Sequence, residues 1–91
     1  MVTRTLTPNP ALPPPALAVL ETVSQAEGVS VADILGRCRR PELVRARWRA
    51  WSALRTMPWG AGRPSYPRIG AWLGRDHTTI LHGVRRYEGA R

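Results

Sequence analysis

Four consecutive side chains near the C-terminal end, Asp76, His77, Thr78 and Thr79, supply a carboxylate, an imidazole and two hydroxyls that carry methyl groups. Such a set suits the reading of polar edges. A carboxylate accepts from an amino donor, and threonine offers a methyl to a methyl and a hydroxyl to either a donor or an acceptor. Earlier in the chain, Arg37, Arg39 and Arg40 surround Cys38 in a run of forked cations whose donors match phosphate oxygens in pairs. The same residues are poorly arranged for catalysis. Asp76 and His77 are adjacent but have no nucleophile beside them. One cysteine with two histidines, His77 and His82, makes a poor metal set. Neither an enzyme nor a bound metal or other cofactor is expected.

The balance of charge names the class of partner. The 91 residues carry a net charge of +8, and all 14 cations are arginine. Without lysine there is no P-loop lysine and no Schiff-base amine. Residues 1–36 set Arg4 against Glu21, Glu27 and Asp33, net −2, whereas residues 37–91 set 13 arginines against Glu42, Asp76 and Glu88, net +10. A polyanion is the simplest partner for so dense a guanidinium surface, and nucleic acid is the foremost polyanion. The plain alternative is a merely soluble, arginine-rich surface. No apolar run reaches the roughly 18 residues of a membrane span, and no secretory leader pattern opens the chain. A cytoplasmic, nucleoid-associated protein with no membrane partner and no small-molecule substrate is therefore expected.

The elements that must position these groups are helices. Pro8, Pro10, Pro13, Pro14 and Pro15 make residues 1–15 read as a flexible, extended tail, leaving residues 16–91 as one small domain. Leu17, Leu20 and Val23 give the first helix an apolar side with Glu21 and Gln25 outside it, and Gly28 stops it. Ser30 caps a brief second helix bearing Val31, Ile34 and Leu35, with Asp33 three residues on as in a capping box. After the basic run, Pro41 suits the first turn of a long helix over 42–57. Its stripe is Leu43, Ala46, Ala50, Trp51, Ala53, Leu54 and Met57; Arg45, Arg49, Ser52 and Arg55 fall outside it. Trp48 sits on the outward flank, and Arg47 lies awkwardly beside the stripe, where its stem can follow the core to the edge.

Residues 58–64 are loop by their glycine and proline content. Ser65 caps a short helix with Pro67 in its first turn and Ile69, Trp72 and Leu73 on its apolar side. Gly74 turns the chain into a last helix over 76–87, with Ile80, Leu81, Val84 and Tyr87 on one face and Thr78, His82, Arg85 and Arg86 on the other. A short helix, a tight glycine turn and a longer helix with a polar outer face outline a helix-turn-helix. No alternating strand pattern is present. By spacing, Trp51 and Trp72 belong to the core, whereas Trp48 and Trp59 are exposed enough to stack on bases. His82 reads as a solvated surface residue, and His77, at the margin of the apolar side, reads as a packed histidine.

The block Gly74-Arg75-Asp76-His77-Thr78-Thr79-Ile80-Leu81-His82 resembles the signature of the C-terminal DNA-binding domain of the bacterial chromosomal replication initiator DnaA. Residues 31–36, the basic run after them, Leu43-Val44-Arg45-Ala46-Arg47 and residues 65–70 resemble their counterparts in the same order, so the likeness covers about residues 16–88. It implies an all-α, Trp-repressor-like domain that reads a short box in duplex DNA, the last helix entering the major groove and the basic loop the adjacent minor groove. Carried over residue by residue, it implies base contacts from Asp76, His77 and Thr78 and a minor-groove contact from Arg39. Backbone contacts would come from Arg37, Arg40, Arg45, Arg47, Arg55, Ser65, Tyr66, Pro67, Arg75 and Thr79.

The chain departs from the family pattern in three places. Gly74 stands alone where two glycines are usual, the 58–64 loop is longer, and Arg49 replaces an apolar residue. The resemblance implies a sequence-specific regulator of transcription or replication, of a phage-like or mobile-element kind or part of a larger activator, with RNA polymerase or an initiator as possible protein partners. Two other functions remain open at this stage: a non-specific basic nucleic-acid binder, and an interaction module that uses the acidic first helix.

Overall fold

The computed structural model describes residues 12–89; most of the expected tail, residues 1–11, lies outside them. The chain forms five helices among the described residues: α1 (Pro14–Glu27), α2 (Val31–Leu35), α3 (Pro41–Thr56), α4 (Tyr66–Leu73) and α5 (His77–Gly89). The expected all-α class holds. The one β pairing among the described residues is an isolated bridge between Trp59 and Gly62, which exchange backbone hydrogen bonds of 2.8 and 2.9 Å and so fold back the 58–64 loop.

Local rules set most of the boundaries. Ser30 accepts from the Asp33 N–H and Ser65 from the Arg68 N–H, each hydroxyl satisfying a first-turn donor that has no partner within its helix. Gly28 (φ +71°) ends α1 and Gly74 (φ +67°) ends α4, both in the left-handed region that glycine enters without a Cβ penalty. The first helix differs from the sequence expectation. It begins at Pro14, so Pro14 and Pro15 are helical and not tail. A proline in the first turn has no intrahelical hydrogen bond to lose, and its fixed φ already suits a helix.

Helix α3 is the hub. α1 and α2 pack on each other and on α3, as do α4 and α5. Leu20, Ile34, Leu54, Ile69 and Ile80, drawn from all five helices, are each nearly or wholly buried. Within α3 the stripe is wider than its periodicity indicates, because Ser52 is buried too. Arg49 reaches Glu27 of α1 at 2.7 Å, so an ion pair joins the two helices.

The approach of α5 to α3 depends on Gly83. A Cβ there would overlap the ring of Trp51 and come within 2.9 Å of Trp48. The α4–α5 turn depends on Gly70 in the same way: a Cβ would lie 2.5 Å from the Arg75 carbonyl, which is backbone and cannot swing aside. The Arg75 N–H donates to the Gly70 carbonyl at 2.9 Å and closes this turn.

Candidate nucleic-acid interface

The first turn of α5 is open to solvent. Asp76 and His77 have side-chain exposures of 67% and 55%, and Thr78 and Thr79 are exposed. Asp76 caps the helix: its Oδ1 accepts from the Thr78 N–H at 2.8 Å and from the Thr78 hydroxyl at 2.6 Å. These two bonds, the hydroxyl's first, hold the carboxyl below its ordinary pKa, with a further contribution from nearby His77. At neutral pH the group is an acceptor only. The Thr78 hydroxyl is committed as a donor to Asp76, so toward a partner it presents its methyl and its acceptor lone pairs.

The basic loop, residues 36–40, is held from beneath. Arg47 of α3 is only 4% exposed. Its guanidinium donates to the carbonyls of Asp33 at 3.0 Å, Ile34 at 3.3 Å and Cys38 at 2.6 Å. Burial lowers its pKa, but an arginine remains charged. Arg47 therefore faces inward, tying the end of α2 and the loop to α3, with three of its five N–H donors bound to backbone carbonyls. The resemblance implied a DNA-backbone contact for this residue; its geometry is that of a positioning residue.

A second device sets the loop against the helix-turn-helix. Arg37 Nη2 donates to the Gly74 carbonyl at 3.1 Å, and Arg75 Nη2 donates to the Gly36 carbonyl at 2.5 Å. Each segment thus sends an arginine to the other's glycine carbonyl. The Arg75 guanidinium also lies over the Trp51 ring, 5.5 Å from its centre. Burial first, then the charges of Arg37 and Arg47, lower the Arg75 pKa.

Between the loop, α3 and α5 lies an open cleft of about 430 Å³. Of the residues singled out from the sequence, Arg37, Arg39, Arg47, Arg75 and Thr79 line it, and Asp76, His77 and Thr78 continue from Thr79 along the start of α5. No aspartate or glutamate is among the lining residues. Arg39 is exposed and has no hydrogen bond or ion pair among the described residues.

The other expected contacts stand elsewhere. Arg40 is exposed and pairs with Glu42, its Nε at 2.8 Å; the hydrogen bond to Glu42 is the main cause that raises its pKa. Arg45 is exposed on α3. Arg55, Ser65, Tyr66 and Pro67 gather where α4 begins. There Arg55 donates to the Pro64 carbonyl at 3.4 Å, lies 4.7 Å from the centre of the Tyr66 ring, and keeps a buried Nε with no partner among the described residues.

Sequence reading gave no role to two residues of the cleft, His82 and Arg86, and offered Trp48, which also lines it, only as a stacking platform. Thr79, His82 and Arg86 are spaced by three and four residues on α5, one face of a helix. That spacing was a visible signal, but only a neighbour across the groove makes it a site. Trp48 is half-buried with Arg86 over its ring at 5.9 Å, and Trp59 is half-buried with its ring edge-on to Trp72 at 4.9 Å. Neither indole stands out as a bare stacking platform. Among the described residues no group of three or more His, Cys, Asp or Glu side chains could hold a metal, and no helix is long and apolar enough to cross a membrane.

A tight turn between α4 and a solvent-open α5, beside a loop of arginines, defines a helix-turn-helix of the nucleic-acid-binding class. Residues 17–86 match the family described as the bacterial dnaA protein helix-turn-helix, and the chain belongs to it. It is 36% identical over 69 residues to the chromosomal replication initiator protein DnaA of Oenococcus oeni, an alignment covering 75% of this chain and 14% of that relative. The chain thus spans about a seventh of the curated relative's length. No match was found among solved structures.

Proposed function

We propose that this domain binds duplex DNA sequence-specifically and regulates transcription or replication by occupying its sites. The first turn of α5 enters the major groove, where Asp76, His77 and Thr78 meet base edges, and Arg39 enters the adjacent minor groove, whose narrow A·T-rich form attracts arginine. Arg37, Arg40, Arg45, Arg55, Arg75, Thr79 and residues 65–67 contact phosphates. Arg47 holds the loop from below.

The observation that carries this reading is the cleft. Thr79 of the exposed α5 first turn and Arg37 and Arg39 of the loop line one groove, with no carboxylate among the residues that line it. An interface built for a basic protein partner would carry acidic groups there. Membership of the bacterial dnaA helix-turn-helix family supports the same reading.

The deciding experiment selects bound duplexes from a random pool and then competes the winner against random duplex, single strands and structured RNA. A recovered consensus, bound at least about a thousandfold more tightly than random duplex, is the expected result. With about six to eight phosphate contacts, log affinity falls with log salt at a slope of about −5 to −7. Equal affinity for every competitor would assign the chain to non-specific nucleic-acid binding instead.

A further inference from the structure

A duplex read by α5 in its major groove and by Arg39 in the next minor groove has one sugar–phosphate strand running between the two reading elements, because a single strand is all that separates adjacent grooves. The space between those elements is the cleft. We propose that this cleft seats that intervening strand and that Arg86 and His82 contact one of its phosphates, which makes them recognition residues beyond the first turn of α5. The proposal rests on the duplex-binding reading and adds to it two contacts and the strand they touch.

The cleft has the chemistry for a phosphodiester. Arg37, Arg39, Arg75 and Arg86 contribute guanidinium groups and His82 an imidazole. The like charges have no acidic partner among the lining residues. Crowding of this kind also appears in Arg75, whose pKa is lowered first by burial and then by Arg37 and Arg47. An anion between these groups would relieve the repulsion.

Arg86 is also held in position. Its guanidinium lies over the Trp48 ring at 5.9 Å, so the indole of α3 braces it on the cleft side of α5. Thr79, His82 and Arg86 then form a line about 10 Å long on one helical face, running from the base-reading turn along the cleft. Arg85, the next residue back, is exposed but does not line the cleft.

The test uses the full chain and the selected duplex, with each phosphate between the two groove contacts replaced in turn by an uncharged methylphosphonate. Variants Arg86→Ala and His82→Gln are compared with Arg85→Ala. Melting by circular dichroism checks that each variant is folded. Arg86→Ala is expected to weaken binding about five- to twentyfold and to make the salt slope shallower by about 1, with Arg85→Ala near wild type. At one neutral linkage the wild-type protein should lose the same factor, and Arg86→Ala should lose nothing further.

Losses that simply multiply at every linkage, or Arg86→Ala matching Arg85→Ala, would overturn the assignment while leaving sequence-specific binding intact. A wild-type protein that prefers no sequence would instead overturn the duplex-reading function, and this contact with it.

Discussion

Arg47→Met separates a positioning arginine from a phosphate contact. Methionine keeps an unbranched stem in the buried channel but removes the donors that hold the Asp33, Ile34 and Cys38 carbonyls. Two of the bonds are short, at 2.6 and 3.0 Å, and the third is long at 3.3 Å. A hydrogen bond to a charged group contributes about 1.5–3 kcal/mol net, and part of that returns when water reaches the freed carbonyls at the loop edge. The expected loss is about 2–4 kcal/mol. In a domain of this size it lowers the melting temperature by roughly 10–25 °C and leaves little stability in reserve.

The functional signature differs from the thermal one. Below the melting transition, Arg47→Met should bind the selected duplex less tightly and lose its A·T preference at the flank assigned to Arg39, because the loop that carries Arg39 is no longer anchored. The slope of log affinity against log salt should not change, since no phosphate contact is removed. Urea unfolding and a salt titration on selected and random duplexes measure both effects. A variant as stable as wild type, bound more weakly to all sequences alike and with its salt slope shallower by about 1, would refute the positioning role and restore Arg47 as a phosphate contact.

Further outcomes follow from the same geometry. Thr78→Ala should cost about 1–3 kcal/mol on the selected duplex and little on random duplex, as competition binding would show; equal losses on both would contradict base reading. Gly83→Ala should destabilise the fold by about 1–3 kcal/mol in urea unfolding, because its methyl is driven into the rings of Trp51 and Trp48. A melting temperature equal to wild type would mean that α5 can shift outward at no cost. The Asp76 carboxyl lies below its ordinary pKa in the folded chain, so its stabilisation is complete above the unfolded value of about 4 and fades as pH falls through the depressed folded value. Asp76→Asn keeps a neutral cap and should lessen the acid-side loss of helix measured by circular dichroism. Identical acid profiles would show that the cap does not titrate with folding.

Much of the architecture can be read locally. Ser30, Ser65, Gly28 and Gly74 mark helix ends by chemistry that acts within a few residues, and the apolar spacing of α3, α4 and α5 finds the faces they bury. The exposure of Thr78 and Thr79 could also be foreseen, since they fall away from Ile80 and Val84, but His77, which the spacing reads as packed, is 55% exposed. Ser52 lies outside the stripe by spacing yet is buried, because other helices pack around α3 and a count along α3 does not contain them. Pro14 reads as tail by composition yet starts α1, since a proline-rich run and a proline-initiated helix look alike until the following turns have packed.

Among the arginines the division is sharper. Their number, their absence from most of the first third, and their grouping on either side of Cys38 are properties of the linear chain, and these point to a polyanionic partner. Which arginine faces a ligand and which faces the protein's own backbone is not encoded in spacing. Arg47 turns inward because the carbonyls of residues 33, 34 and 38 converge on it, and Arg37 and Arg75 cross to glycine carbonyls at positions 74 and 36. Those partners are distant along the chain. They meet only when α2, α3 and the α4–α5 turn are packed together, and the cleft that joins loop to helix exists only as a product of that packing.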